Sequence, residues 1–257
     1  MKRLALGIVL ASGVLHAAPL AYPWLPSGSA GAQALSQRIL PPEGYMRVAL
    51  PRDHFGAWLR ELPLEPDGAK VHLFDGTDKP NQRVHAAVVR LDVGKRDLQQ
   101  CADAVMRLRA EYLLAKGELI EFHPDRKRVL RFDPRTPDPG RKHFAHYLVQ
   151  VFAEAGTASL QAELPRATGL LIPGDVLIQG GSPGHAVLVL DVVANAEGQR
   201  RVLLGQSYMP AQEFHVLRNL ADGRQGPWFD EAALDSKLGL ITPEWRPFHR
   251  ADVRRFP

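Results

Sequence analysis

The stretch Pro173-Gly-Asp-Val-Leu-Ile-Gln-Gly-Gly-Ser-Pro-Gly-His-Ala-Val-Leu-Val-Leu-Asp191 constrains the fold of this chain more than any other. Two short apolar runs flank a Gly/Pro loop, the pattern of two strands joined by a tight turn, and the turn delivers His185 to the mouth of the second strand. Asn195-Ala-Glu-Gly198 then marks a hairpin into a third strand, Arg201 to Ser207. A hairpin centred near Glu197 sets the segment from Gln206 to Met209 opposite His185, so Gln206 can reach the imidazole and fix its tautomer. Asp191 shares the His185 side of its strand but lies about 20 Å along it at strand rise, and it is discounted as the orienting group.

The single cysteine lies upstream. In Asp97-Leu-Gln-Gln-Cys-Ala-Asp-Ala-Val-Met-Arg-Leu-Arg109, Asp97 and Gln100 read as a capping box that opens a helix from about Leu98 to Lys116, stopped by Gly117. Cys101 then sits in the first turn, where the partial positive charge of a helix N-terminus favours a thiolate. The expectation is a thiol that titrates below the ordinary value of roughly 8.5. Cys101, Val105, Leu108 and Tyr112 recur on the stripe that faces the body. That orientation suits a catalytic thiol and a structural core cysteine equally. Asp103, Arg107 and Glu111 recur at i+4 steps and read as a solvated ion-pair ladder, with Asp103 close enough to tune the thiol.

Elsewhere the pattern gives a short helix over 53–62 capped by Asp53, strands at Val71–Phe74 and Ala86–Val93, and a poorly alternating stretch from Phe122 to Asp133. A second helix is expected from Lys142 to Gly156, and a short one follows to Leu164. A further strand spans Glu213–Leu217, and the tail from Pro227 onward reads as irregular packing. His143 and His146 stand three apart on the second helix without a carboxylate or cysteine to complete a ligand set, so no metal site is expected there. The glycines of 180–184 lead into a strand rather than a helix, which removes the phosphate-cradle reading, and no cofactor is expected. The helical and β patterns are segregated, as in an α+β fold.

Met1-Lys-Arg, the apolar run Leu4–Leu15 and the small residues Ala17 and Ala18 have the three regions of a secretory signal peptide, with an uncleaved anchor as the alternative. The expected organisation is a signal over 1–18, a linker over 19–38 and one domain over 39–257. The protein is expected to be periplasmic or secreted and peripheral to a membrane at most. A net charge of +4 and a pI near 9.3 suit an anionic surrounding, such as cell-wall polymer or phospholipid head groups. Arginines are scattered without interleaved aromatics, and no nucleic-acid partner is expected.

The segments Leu98–Leu113, Ile178-Gln-Gly-Gly-Ser-Pro-Gly-His-Ala-Val187 and Gln206-Ser-Tyr-Met-Pro-Ala-Gln212 resemble an exported bacterial family filed as domain of unknown function 4846, from about Ile39 to the C-terminus. The motif order is also similar to NlpC-type and CHAP-type cell-wall cysteine peptidases and amidases. A Cys at a helix start precedes a Pro-Gly-Asp strand, a Gly-His strand and a polar residue on the next strand. That resemblance implies a papain-like core, with the Cys-bearing helix packed on an antiparallel sheet. It also implies Cys101 as nucleophile, His185 as base and Gln206 as orienter, and hydrolysis of a peptidoglycan amide bond. Departures from the group are a Cys-to-His separation of roughly 85 residues and Gln100-Cys-Ala-Asp103 in place of its usual polar-Cys-Ser-Gly neighbourhood. Two other readings stand beside it: a non-catalytic envelope-binding module that keeps the fold, and a metal hydrolase using His185 and His215.

Overall fold

The computed structural model describes residues 22–25, 32–137, 140–222 and 226–257. The expected signal peptide lies outside them. Among the described residues no helix is long and apolar enough to cross a membrane. The architecture is mixed α+β and its sheet is antiparallel. Strands β2 (His85–Val88), β5 (Val176–Gln179), β6 (His185–Asn195), β7 (Arg200–Gln206), β8 (His215–Leu217) and β10 (Val253–Arg254) run in the order β10-β5-β6-β7-β8-β2. β1 (Tyr45–Arg47) pairs with the far end of β6, and β9 (Trp228–Asp230) with the start of β7.

β6 is the axis of the molecule. Its residues from His185 to Val193 are all buried, so side chains on both faces of the pleat meet packed layers. That explains the absence of polar alternation in its sequence. On one face Ala186, Leu188 and Leu190 join Ala102 and Val105 of the helix α3 (Cys101–Lys116). On the other, Val187 and Val189 join Leu177, Leu204, Leu240 and Phe248. The helices α2 (Phe55–Arg60), α4 (Arg141–Glu154) and α5 (Thr157–Glu163) contribute Phe55, Phe144 and Leu160 to the first layer. The irregular C-terminal third closes the second. The hairpin at Asn195–Gly198 forms as expected, with Gly198 at φ 79°.

Several expectations are corrected. α3 begins at Cys101 with Gln100 as its N-cap, and it is the Asp103 carboxylate that accepts from the Gln100 backbone N–H at 3.0 Å. Asp97 is occupied elsewhere, accepting from Gln100 Nε2 at 2.9 Å and from the Ala211 N–H at 2.7 Å. α2 is capped by His54, whose Nδ1 accepts from Gly56, rather than by Asp53. The stretch 122–133 belongs to a two-stranded ribbon, β3 (Ile120–Phe122) with β4 (Leu130–Phe132). Val71–Phe74 makes only isolated bridges to Asp78 and Gln212.

The stretch expected as a linker is packed where it is described. Leu35, in α1 (Leu35–Arg38), is fully buried, Tyr22 donates to the Trp58 carbonyl, and Trp24 donates to that of Arg90. Nor is the Asp103–Arg107–Glu111 row solvated. All three side chains are buried: Arg107 donates to Asp92 and to Gln99, while Glu111 takes a forked pair of bonds from Arg141.

Candidate functional site

The start of β6 gathers the chemistry. His185 is fully buried, and its Nε2 lies 2.8 Å from Gln206 Oε1. The register explains this contact. β6 and β7 pair Leu188 with Gly205, and an irregularity between Val189 and Asp191 shifts the ladder by one residue. Continuing past Gly205 sets Gln206 across from Val187, so His185 is its diagonal neighbour on the same face, within reach of long side chains. Gln206 in turn pairs with His215 on β8. The His185 ring is enclosed by Tyr208 and Trp245, each with a centroid separation of 5.0 Å, and by Phe248 at 6.3 Å. Its Nδ1 has no hydrogen-bond partner among the described residues.

The tight loop before β6 requires glycine where it meets α5. A Cβ on Gly184 stands 2.1 Å from Thr157 Oγ1 and 2.8 Å from the Gln179 carbonyl. This close approach brings the loop to the N-terminus of α3, where Cys101 Sγ lies 3.8 Å from the Gly184 carbonyl oxygen. The Ala186 backbone N–H is directed at the same sulfur. The thiol therefore contacts main chain on both sides of His185, and its hydrogen bond goes to that main chain rather than to the imidazole.

Electrostatics run against the thiolate expected from the helix end. Burial pushes the Cys101 thiol up to about 11; the Ala186 N–H opposes the shift and the nearby Asp103 carboxylate adds to it. Desolvation exceeds the dipole here because Cys101 is 4% exposed, and a charge taken from water costs more than a helix terminus returns. The same cause lowers His185 to about 4, with the Gln206 bond opposing and Lys79 assisting. Near neutral pH the thiol and the imidazole are both uncharged. Asp103 is raised to about 8 by burial, against the Gln100 N–H, and its Oδ1 has no partner among the described residues. Cys101 and Asp103 line a cavity of about 310 Å³ with Thr157, Gly184 and Met209.

Of the other groups considered, Asp191 is fully buried and accepts from Arg47 Nε and Arg60 Nε, both at 2.6 Å. It anchors structure. His215 bonds the Glu213 carbonyl through Nδ1 at 2.9 Å, and burial lowers it to about 3. His143 and His146 are exposed. Among the described residues no three His, Cys, Asp or Glu side chains gather closely enough to hold a metal ion. Sequence reasoning missed Lys79, Tyr208, Glu244 and Trp245, all of which border the His185–Gln206 pair. The density of Pro and aromatic residues in Thr242-Pro-Glu-Trp-Arg-Pro-Phe248 was the available signal, since such a segment packs without periodicity.

Fold and site together define a mixed α+β protein with a helix-start thiol held against the main chain that flanks a strand-start histidine. The chain belongs to the family described as a domain of unknown function (4846), whose model matches residues 35–133 and 125–255. Neither the curated proteins nor the solved structures contain a match to it.

Proposed function

We propose that the protein is an exported thiol hydrolase of papain-like, NlpC-type organisation that cleaves an amide bond of peptidoglycan or another anionic envelope polymer. One observation carries the reading. The Gln206 Oε1 contact at 2.8 Å supports a proton on His185 Nε2, which would free Nδ1, without a hydrogen-bond partner among the described residues, to act as base on a residue whose two main-chain neighbours contact the only thiol of the sequence.

In the proposed cycle the Cys101 thiol, which rests on the main chain flanking His185, and the imidazole, which rests against Trp245 and Phe248, turn towards each other around the start of β6 as substrate enters the cavity, and the thiol gives up its proton to Nδ1. The sulfur forms a bond to the substrate carbonyl carbon. The N–H groups of Cys101 and Ala102, which have no partner within the helix at its first turn, face the developing oxyanion. Collapse breaks the C–N bond, and the proton on Nδ1 passes to the leaving amine. Water, deprotonated by the same nitrogen, then hydrolyses the thioester and restores the thiol. Because thiol and imidazole rest neutral, charge separation is deferred until substrate has displaced water, so the resting thiol is protected from adventitious oxidation.

A second reading has its own support. Exposures of 4% for Cys101 and 0% for His185, with both groups neutral, equally suit a structural core in a binding module that docks on envelope polymer. Incubation of purified sacculi with wild type and with Cys101→Ser, followed by mass spectrometry of released fragments, separates the two. Fragments from wild type alone identify the bond cut. Identical profiles with sacculus binding by both proteins establish the binding module.

A further inference from the structure

Glu244 is the one residue other than glycine, among those described, with a left-handed backbone, at φ 71°. L side chains rarely adopt that conformation, and such outliers cluster at functional sites. The contacts of Glu244 show what holds it there. Its carbonyl accepts from the Tyr208 hydroxyl at 2.7 Å, and its carboxylate receives Lys79 Nζ at 2.8 Å and Gln206 Nε2 at 3.3 Å. The backbone of Glu244 lies at the surface, while its side chain, 18% exposed, turns inward to Lys79, which is 4% exposed. Lys79 also donates to Gln212 Oε1 at 3.3 Å and stands over the Tyr208 ring. Neither Lys79 nor Glu244 belongs to a helix or strand.

We infer that the Lys79–Glu244 pair is a positioning device that fixes the tautomer of His185 through Gln206; the inference rests on, and deepens, the reading of His185 as the base. A primary amide accepts at one end and donates at the other. The carboxylate selects the donating end, because the reversed amide sets carbonyl oxygen against carboxylate oxygen. Gln206 Oε1 must then face His185 Nε2, and an acceptor there requires the N–H of that nitrogen. A neutral imidazole carries one proton, so Nδ1 keeps its lone pair. Lys79 completes the chain by holding one carboxylate oxygen, Oε1, so that the other, Oε2, faces the Gln206 amide; without that anchor the carboxylate is free to turn away and the selection is lost. His215, the strand neighbour of Gln206, makes no bond to the amide: its Nδ1 bonds the Glu213 carbonyl and its Nε2 has no hydrogen-bond partner among the described residues.

The test is ¹⁵N NMR of the purified full chain labelled at histidine and recorded above pH 6, where His185 is neutral, its signals assigned by their loss in His185→Gln. The expected wild-type result is a single Nε2–H tautomer. Glu244→Gly removes the carboxylate, and relief of the positive φ offsets part of the cost of leaving Lys79 without its partner; a cooperative thermal transition checks that the variant is folded. Lys79→Met supplies an independent arm should either variant fail to fold. Both variants are expected to show a mixture that includes the Nδ1–H form. A pure Nε2–H tautomer in the folded variants, or an Nδ1–H tautomer in wild type, overturns the inference. Its failure is distinguishable from that of the proposed function: sacculi left uncut by wild type overturn the hydrolase reading and leave the tautomer measurement standing.

Discussion

At the scale of single residues, Cys101 and His185 are shifted in opposite directions by one cause, burial that penalises whichever form carries charge. Alkylation of Cys101 by iodoacetamide is therefore expected to be slow near neutrality and to rise towards pH 11. A rate already at its plateau by pH 8 overturns this assignment. Asp103→Asn removes a carboxylate that favours the protonated thiol, so it should move the alkylation profile to lower pH. The same substitution tests linkage. Asp103 holds its proton to about pH 8 in the folded chain and loses it near 4 when unfolded. Between those values the native state binds more protons, so this group's contribution is intact below pH 4 and is lost as the pH rises to 8. At about 1.4 kcal/mol per pH unit, wild type should lose on the order of 4 kcal/mol relative to Asp103→Asn between pH 5 and pH 8. Urea denaturation of both proteins at pH 5 and pH 8 reads that difference. Equal pH dependence shows that Asp103 is charged throughout. His185 acts with the opposite sign below about pH 6.5, since its folded form gives up the proton first, and this is common to both proteins.

At the scale of elements, Asp191 joins three pieces to the middle of β6. Arg47 on β1 bonds it and also donates to the Ser36 and Ile39 carbonyls, while Arg60 on α2 bonds it and donates to that of Val48. Asp191→Ala leaves two guanidinium groups facing each other across a buried gap and is expected to cost about 3 kcal/mol. This is the lower end of the usual range because Arg47 keeps some contact with water, its side chain being 24% exposed. Equilibrium urea unfolding measures the loss; a change under about 0.5 kcal/mol, typical of exposed pairs, shows the cluster to be solvated. The elements also show why parts of the fold were legible. β5, β6 and β7 are joined by a short loop and a tight hairpin, so counting from Asn195 to Gly198 is enough to bring Gln206 to His185. The i+4 row Asp103–Arg107–Glu111 was misread because the spacing is the same on a solvated face and on one covered by α4. What decides is Arg141, thirty residues from Glu111, which periodicity within α3 cannot reveal. The β3–β4 ribbon was missed because three-residue strands are too short to display alternation.

At the scale of the whole molecule, the sheet has two covers of different origin. α3, a regular helix buried on nearly every side, protects one face; the other is closed by Leu240, Phe248 and their neighbours, held in irregular backbone with no period to read. Cys101, His185 and Gln206 were accessible to sequence reasoning because their elements carry regular patterns. Lys79, Glu244 and Trp245 were not, since each reaches the site from a turn far away in the chain. The consequence of that second cover is temporal. Synthesis from the N-terminus produces the thiol first and the histidine some eighty residues later, but the residues that orient Gln206 and enclose the imidazole come only with positions 244–248. A nascent or truncated chain that stops short of them has a cysteine and a histidine but no oriented pair. The surroundings of His185 are thus incomplete until nearly all of the described fold exists, which builds a delay between synthesis of the cysteine and histidine and completion of the site they belong to.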